Sequence, residues 1–585
     1  MSATNKRRGP NDGVSAFLLP IGVGVFALLV GVGWTSARLG AGLSDKPLPP
    51  GNPFVLPFAL AKGTYVWPGG WATGLAAGEG LVLVVLAVLV TRMVLARRRA
   101  RPRIDAAAQH MAKGRELDKL SAAQNRAAAV RWGITSPDPG IFVGRTVIGR
   151  RPLFASFEDM QIDIWGPRTG KTTRRAIPAI VRAGAKPLFV TSNKRDVVDA
   201  TRGPRSEHGS IRVFDLQGLI GEAVSWWWNP LTFVTGVAPA RRMAEHFASD
   251  ARGANARTDA YFEPAGQDLL AYLLLAAALD GRPITQVYRW LSNPREAEPE
   301  RILRAAGAEY VLPADAVKAV LIAPEKQRGG IYGTALQMAS CLVNPAVTRW
   351  VTDNGHDLPQ LDPREFVRST DTLYLVSREG KDSAGALVTA LTVAICEAAE
   401  QYASQSPHGR VPGGILGVLD EAANVCRWAE LPNLYSHYGS RGINLMTILQ
   451  SWEQGVEVWG EGGMAKLWGA ANLRVYGGGA ASAQFLSNLG SLVGNFEPET
   501  YSHSYQPPQP GSGFLTRSRS TSTSSRSEEI LSAADLAAVP PGRAVVMASG
   551  ARPTLIETIP WWTEPYAPAV QASLDKYDPG AVTTP

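Results

Sequence analysis

Two long apolar blocks open the chain, and short apolar runs alternating with helical stretches fill most of the remainder. Residues 14–34, VSAFLLPIGVGVFALLVGVGW, carry no charge and are long enough to cross a bilayer, which takes ~20 residues. A second block, GLVLVVLAVLVTRMVLA, begins at Gly80 and reaches spanning length if its helix starts near Trp71. That places a second span over 71–96, with Glu79 and Arg92 near enough to its ends to reach the interfaces. Lys6, Arg7 and Arg8 precede the first span, and Arg97, Arg98, Arg99, Arg101 and Arg103 follow the second. Both basic flanks belong in the cytoplasm by the positive-inside rule. The expectation is a multi-pass cell-membrane protein with two spans, a cytoplasmic tail (1–13) and a Pro/Gly-rich extracytoplasmic loop (35–70). Trp67 and Trp71 suit the outer interface. A cleavable signal peptide is the rival reading of the first span, but no small-x-small site clearly follows it, and the second span would still anchor the chain.

After a juxtamembrane linker (97–140), polar and helical from about 104 to 132, the period changes. KPLFVTSN (186–193), SIRVFD (210–215), DTLYLVS (371–377), GILGVLDE (414–421), INLMTILQ (443–450) and LRVYGG (473–478) read as strands between helical stretches, the pattern of a parallel α/β sheet. Residues 236–344, including GQDLLAYLLLAAALDG, have helical period throughout. The pattern therefore divides the body into a sheet domain (141–235 and 345–501), interrupted by an all-helical domain (236–344). A Ser/Pro-rich loop (502–529) is too polar to form a core and is expected to be disordered. Strands of the sheet domain and a tail (530–585) close the chain. No internal repeat is evident.

The chemistry begins at QIDIWGPRTGKTTRRAIP (161–178). Alternation over 161–164 suits a strand, 166–170 a tight turn, and Lys171-Thr172-Thr173 a helix start. A phosphate-gripping loop needs this order, because backbone N–H groups and a helix N-terminus must converge on phosphate oxygens. Against G-x-x-x-x-G-K-[ST], Trp165 stands at the first glycine and Gly166 follows one position late. The candidate nucleotide-binding set is Gly166, Pro167, Arg168, Thr169, Gly170, Lys171, Thr172 and Thr173. Lys171 would reach the β/γ-phosphates and the Thr172 hydroxyl would face Mg²⁺. The bland alternative is a chance match in an Arg/Gly-rich chain.

The partner of this loop is the strand at 414–421. Four apolar residues, Ile415, Leu416, Val418 and Leu419, lead into Asp420-Glu421 at its C-terminal end, the edge where such sheets place their sites. Asp420 can hold the Mg²⁺ shell, and Glu421 can orient and deprotonate a water attacking the γ-phosphate. Gln450 ends the next strand, placed either to contact the γ-phosphate or simply to cap a turn. ATP and Mg²⁺ are the implied cofactors.

Charge and cysteine content change the picture only slightly. The net charge of +8 favours acidic partners such as nucleic acid or anionic lipid without requiring them. Cys341, Cys396 and Cys426 are far apart and lie in apolar settings, so they read as core residues on the reducing side of a membrane rather than as zinc or redox ligands.

VLDEAANVCRWAELPNLYSHYGSRGINLMTILQSWEQ (418–454) resembles the Walker B region of type IV secretion coupling proteins, the TraG/TraD family of conjugative ATPases. That family shows an LDE-x-x-N run, an arginine-glycine element, then a strand ending in glutamine. GPRTGKTT, the WNPL at 228–231, SAADLAAVPPGRAVVMASGARP near the C-terminus and the two-span anchor also match, so the resemblance extends over essentially the whole chain. It is nearest to coupling proteins of mobile elements in high-G+C Gram-positive bacteria. The resemblance implies a RecA-like P-loop NTPase with an all-helical insertion domain and an N-terminal two-helix transmembrane anchor. It further implies a homo-hexameric ring that binds nucleotide between subunits and pumps relaxase-bound DNA, single-stranded by expectation, into a type IV secretion channel. By position, Lys171 and Thr172 match Walker A, Asp420 and Glu421 Walker B, and Gln450 the sensor. Arg441, in the arginine-glycine element, is the first choice for a finger reaching a neighbour's γ-phosphate, with Arg328 and Arg378 as rivals. The helical domain resembles the part of the family that helps receive the relaxase–DNA substrate.

Three departures stand out. Trp165 replaces a glycine. Pro178 should kink or restart the helix after the loop. Ser192-Asn193-Lys194 stands where many relatives show Asp-x-Lys-Gly-Glu. Trp226, Trp227 and Trp228 read as core or subunit-contact residues in preference to base-stacking ones. Two other classes remain open: an FtsK-like double-stranded DNA translocase, and a docking receptor that binds nucleotide without hydrolysing it.

Overall fold

The computed structural model describes residues 12–99, 102–134, 136–252, 259–353, 355, 357–380, 383–497, 499–505, 519–525 and 527–580. It divides into two units, Met1–Pro102 and Arg103–Pro585.

The first unit is a helical hairpin of Asp12–Ser44 and Gly70–Arg99, with short helical turns at Pro53–Val55 and Leu56–Ala61 between them. The described parts Val23–Ser44 and Gly70–Leu89 are each long and apolar enough to cross a membrane. The first helix does not stop at Trp34 but runs ten residues further. In that stretch the Thr35 hydroxyl lies 3.0 Å from Gly31 O and 2.7 Å from Glu79 Oε2 of the second helix. Small residues bring the backbones together, since a Cβ on Gly40 would lie 2.5 Å from that of Ala72, the geometry that close helix packing in lipid requires. Trp71 is exposed, and Trp67 Nε1 donates to Thr73 Oγ1 at 3.0 Å. The basic residues Lys6, Arg7, Arg8 and Arg101 lie outside the described residues.

The second unit is built on one sheet. In chain order its strands are β1 (Ile141–Thr146), β2 (Pro152–Ala155), β3 (Gln161–Ile164), β4 (Leu188–Ser192), β5 (Ile211–Asp215), β6 (Thr372–Val376), β7 (Ile415–Leu419), β8 (Ile443–Leu449) and β9 (Leu473–Tyr476). After the small strands β10 (Asn495–Phe496), β11 (Glu499–Tyr505), β12 (Arg519–Ser525) and β13 (Glu528–Glu529) come β14 (Arg543–Ala548) and β15 (Thr554–Glu557). The spatial order is β2-β1-β15-β14-β9-β3-β8-β7-β4-β6-β5. From β9 to β5 every neighbouring pair is parallel, and from β9 to β2 every pair is antiparallel. The parallel strands β4, β6, β7 and β8 are buried at every position, as expected of strands covered on both faces. Gly417 in β7 lets the Phe189 ring of β4 cross it: an added Cβ would sit 2.3 Å from Phe189 Cζ and 2.7 Å from Leu445 Cδ2.

Between β5 and β6, the described residues from Val237 to Thr348 contain helices and no strand. Trp226 and Trp228 are buried with Phe214 and Trp350, and their rings pack at 5.5–6.4 Å. This is the core reading of the tryptophan run. The three cysteines are likewise buried and free.

The structure adds to three of these segment readings. Residues 103–134 of the linker pack along the antiparallel flank, where Arg543 Nε and Nη2 donate to Asp105 at 2.7 and 2.9 Å and Ala112 N donates to Pro553 O at 2.9 Å. The described tail is docked. Its helix Ala567–Tyr577 docks on the helix Asp196–Ser206, with Gly203 N donating to Ser573 Oγ at 3.0 Å and Arg202 stacked 3.5 Å over Tyr577. The Ser/Pro-rich loop is partly ordered, because β11 and β12 pair antiparallel from Glu499↔Ser525 to Tyr505↔Arg519. Backbone pairing needs no apolar face, and threonine and tyrosine favour extended chain. Residues 506–518 of the expected disordered loop lie outside the described residues.

The crowding at Gly417 carries a test. Gly417→Val should overpack the sheet by about 1–3 kcal/mol and lower the thermal unfolding midpoint of the detergent-solubilised chain, while Ile415→Val, which removes one methylene, should move it less.

Candidate nucleotide site

β3 runs straight into the turn 165–170. Trp165, at the position of the missing glycine, is fully buried. Its N–H donates to Leu449 O at 3.0 Å, and its ring fills the space over Gly477, where a Cβ would approach to 2.1 Å. Gly166, one position later, packs against the end of β9. Its N–H donates to Gly478 O at 2.8 Å, and a Cβ there would meet Gly479 O at 2.2 Å. Gly166 is therefore needed for close passage against the end of β9. Pro167 and Arg168 are exposed at the tip, with Arg168 at φ +59°. The buried Thr169 closes the turn by donating from Oγ1 to Gly166 O at 2.6 Å. Gly170 has φ +93°, a left-handed conformation that glycine adopts without strain.

Lys171 then opens a π-helical turn, Thr172–Ala176, and an α-helix restarts at Ile177–Val181 with Pro178 in its first turn. Pro178 removes a backbone donor where the wide π-turn gives way to regular helix. Thr173 Oγ1 donates to Gly170 O at 3.3 Å. The wide turn swings Arg175 inward to full burial under the loop. Its guanidinium donates to Asp163 Oδ2 from Nε at 2.5 Å, to Phe142 O from Nη1 at 2.9 Å and to Gln161 Oε1 from Nη2 at 2.5 Å. Sequence reasoning missed this anchor. Its one signal is a charged pair, Asp163 and Arg175, in segments otherwise reading as core.

The strand order β3-β8-β7 puts the ends of three strands side by side. Lys171 reaches across the end of β8 to both acids after β7: Nζ lies 3.2 Å from Asp420 Oδ1 and in direct contact with Glu421 Oε1. Gln450, following β8, donates from Nε2 to the same Glu421 Oε1 at 2.7 Å. The two acids are 4% and 2% exposed and the lysine 15%, so the cluster is essentially dry and its charges must answer one another. Burial pulls the Lys171 ammonium down, but the two carboxylates outweigh it and hold its pKa above the ordinary lysine value. Burial pushes Asp420 up to about 6, against the opposing pull of Lys171 and with repulsion from Glu421 added. Glu421 itself has φ 56° and ψ 42°, a left-handed conformation uncommon for a side chain of this size and typical of functional turns.

The donors fit a magnesium–nucleotide. Asp420 Oδ1 is buried with the Lys171 ammonium 3.2 Å away and no other partner, so it would present a hard oxygen to a cation once the lysine turned to phosphate. Thr172, at the start of the π-turn, stands beside Lys171 in the chain. Among the described residues no group of three or more His, Cys, Asp or Glu side chains could hold a metal alone. Mg²⁺ bound through phosphate oxygens and one carboxylate needs no such cage.

Arg441 lies elsewhere. It precedes β8 while Gln450 follows it, so the two stand at opposite ends of a strand that is itself roughly 20 Å long at ~3.3 Å per residue. Arg441 Nη1 lies 3.5 Å from Glu400 Oε1, at the wall of a 1190 Å³ cleft shared with Arg242 and Tyr438. Of its rivals, Arg328 donates to Leu321 O at 3.0 Å within the helical insertion. The Arg378 backbone N–H donates to Gln217 Oε1 at 2.7 Å on the same sheet edge as Lys171.

Residues 415–541 match the model of a family described as the TraM recognition site of TraD and TraG. The match begins at the first residue of β7 and includes Asp420, Glu421, Arg441 and Gln450. Among solved structures, the chain is similar to the bacterial conjugative coupling protein TrwBdeltaN70 in a trigonal form with sulphate, at 15% identity and TM-score 0.50, covering 75% of this chain and 92% of that one. The unbound monoclinic form of the same protein gives 15% identity and TM-score 0.49, covering 75% and 91%. VirB4 of Thermoanaerobacter pseudethanolicus gives 12% identity and TM-score 0.40, covering 74% and 99%. At such identities the likeness to the trigonal form of TrwBdeltaN70 speaks for a shared fold and for nothing finer. A sequence comparison with curated proteins found no match.

Two outcomes follow from this geometry. Arg175→Met strands a buried Asp163 carboxylate and should cost about 3–5 kcal/mol, much of it recovered in Arg175→Met/Asp163→Asn, as a double-mutant cycle of unfolding midpoints would measure. The second concerns pH. Asp420 titrates near 6 in the folded chain against 3.8 unfolded, so between those values the folded state holds a proton the unfolded chain has lost. Its contribution to stability therefore falls as pH rises through that interval, and Asp420→Asn should flatten the decline of melting temperature there.

Proposed function

We propose that this chain, a coupling protein of the TraG/TraD type that serves conjugative DNA transfer, is a membrane-anchored ATPase that drives relaxase-bound DNA into a type IV secretion channel. The observation that supports hydrolysis is the meeting of Lys171, Asp420, Glu421 and Gln450 at one sheet edge. Lys171 exchanges its carboxylate partners for the β- and γ-phosphates when nucleotide enters. That exchange frees Glu421 Oε1 to take a proton from water as the water oxygen attacks the γ-phosphorus and the bond to the bridging oxygen of ADP breaks. Gln450 holds Glu421 and the water in line. Thr172 and Asp420 would hold Mg²⁺, which would supply neutralising charge to the phosphate oxygens. Gly170, Thr169 and the backbone N–H groups of 168–173 line the phosphate cradle.

The geometry of β8 supports a ring. Arg441 stands too far from its own chain's Lys171 to serve that site, so a finger role at this position requires a second copy, and a homo-hexamer with nucleotide between subunits meets that requirement. The two apolar helices anchor the chain, and the basic residues flanking them in sequence orient the N-terminus and motor to the cytoplasm. In this reading the helical insertion (236–344) faces the arriving substrate.

The test is phosphate release by the full chain in detergent or nanodiscs, with single- and double-stranded DNA, beside a conjugation assay. Lys171→Ala and Glu421→Gln should each lower DNA-stimulated release by about 10²-fold or more and abolish transfer. Normal transfer by Lys171→Ala would refute the motor. Release in no DNA condition would indicate a nucleotide-binding receptor, and stimulation by double strands alone an FtsK-like translocase.

A further inference from the structure

We propose that Asn424 is the positioning residue that aims the Glu421 carboxylate, and that Glu379 sets Asn424 for this task. The inference deepens the hydrolytic reading and rests on it. Three loops converge beside Glu421 on the phosphate edge: Asn193 after β4, Glu379 after β6 and Asn424 in the turn after β7. Asn424 Nδ2 donates to Glu379 Oε1 at 2.9 Å and to Glu421 Oε2 at 3.3 Å. Asn193 Nδ2 donates to the same Glu379 Oε1. A side-chain amide has two N–H hydrogens, so both hydrogens of Asn424 are used and its NH₂ bridges two carboxylates.

The local backbone builds this bridge. Asn424 follows Glu421 by three residues, and its N–H donates to Glu421 O at 2.9 Å, closing the turn that holds Glu421 in its left-handed conformation. Residues three apart in a helical turn share a face, so the turn that strains Glu421 also delivers the amide to it. The two carboxylate oxygens are thereby held from different sides: Oε1 by Lys171 and Gln450, Oε2 by Asn424. Once Lys171 turns to phosphate, Oε1 loses its strongest partner while Oε2 keeps the amide. Asn424 then limits rotation of the carboxylate and keeps Oε1 directed at the incoming water.

Glu379 matters because an amide has two unlike edges. Ionised carboxylates only accept, so Glu379 admits the NH₂ edge of Asn424 and repels its carbonyl oxygen. Asn193, donating to the same oxygen, fixes Glu379 in turn. Acceptor capacity at Oε1 is what this task requires. Glutamine at 379 retains it and alanine does not.

The experiment is steady-state, DNA-stimulated phosphate release by the full chain in nanodiscs, with KM and kcat separated and melting temperatures recorded. Asn424→Ala should lower kcat by about 10–100-fold, a share of the 10²–10⁴ that a placed base contributes, with the KM for ATP within about twofold, the split expected when an interaction specific to the transition state is lost. Asn424→Asp, of the same shape but without the two donors, reads the same step if the alanine variant folds poorly. Glu379→Ala should lower kcat by about 5–10-fold and Glu379→Gln should restore it to within about twofold, as acceptor geometry predicts. Unchanged kcat in both Asn424 variants, a rise in KM alone, or an equal loss in Glu379→Gln and Glu379→Ala would overturn the proposal while wild-type hydrolysis stands. A wild-type chain that releases no phosphate would overturn the hydrolytic reading, and this positioning role with it.

Discussion

One ammonium held between two buried carboxylates organises the phosphate edge of the sheet. Lys171, Asp420 and Glu421 come from segments about 250 residues apart, and none of the three charges is tolerable alone at that depth. Their meeting is a consequence of strand order. With β8 placed between β3 and β7, the lysine after β3 must reach past the end of β8 to find the acids, and the residue next after β8 is captured in the same cluster. Gln450 is that residue. The left-handed turn at Glu421 and the glycine conformation at 170 turn the two ends toward each other.

Beneath this cluster lies a second, wholly buried one. Arg175 ties β3 through Asp163 and Gln161, and β1 through the carbonyl of Phe142. It reaches them because the helix after the loop opens as a π-turn, which rotates residue 175 inward before Pro178 restarts the regular helix. The turn carrying Lys171 is thus pinned from below by an ion pair, and from the side by Trp165 and Gly166 against the end of β9. Such rigidity is what electrostatic catalysis on phosphates demands, since the groups contribute only if they need no rearrangement when charge develops.

The helical insertion is fastened to the same edge. Asp250, at the end of the helix Val237–Ala251, accepts from Ser383 Oγ at 3.1 Å in the loop that begins after β6. Arg427 Nη1 donates to Arg252 O at 2.7 Å from the segment after β7. The loops that carry Glu379 and Asn424 therefore touch both the candidate base and the insertion.

Much of this was legible in the chain itself. The apolar blocks at the N-terminus, the parallel strands β3 to β9, the helical insertion and the residues Lys171, Asp420, Glu421 and Gln450 all follow from patterns a few residues long, because burial on both faces of a strand and the needs of a phosphate loop are local demands. Other features were decided by the fold. Gly166 stands one position after the expected phosphate glycine, and its N–H is taken by Gly478 after β9. Residues 103–134 look like a linker because their partners, Arg543, Pro553 and Ser549, lie more than 400 residues away. Arg175 has no assigned task in the sequence until a π-turn buries it against Asp163, and Asn424 acquires one only when the loop after β6 brings Glu379 beside it. Periodicity and motif spacing record what each segment must bury, whereas hydrogen bonds between distant loops depend on which strands become neighbours, and no short window of sequence contains that choice.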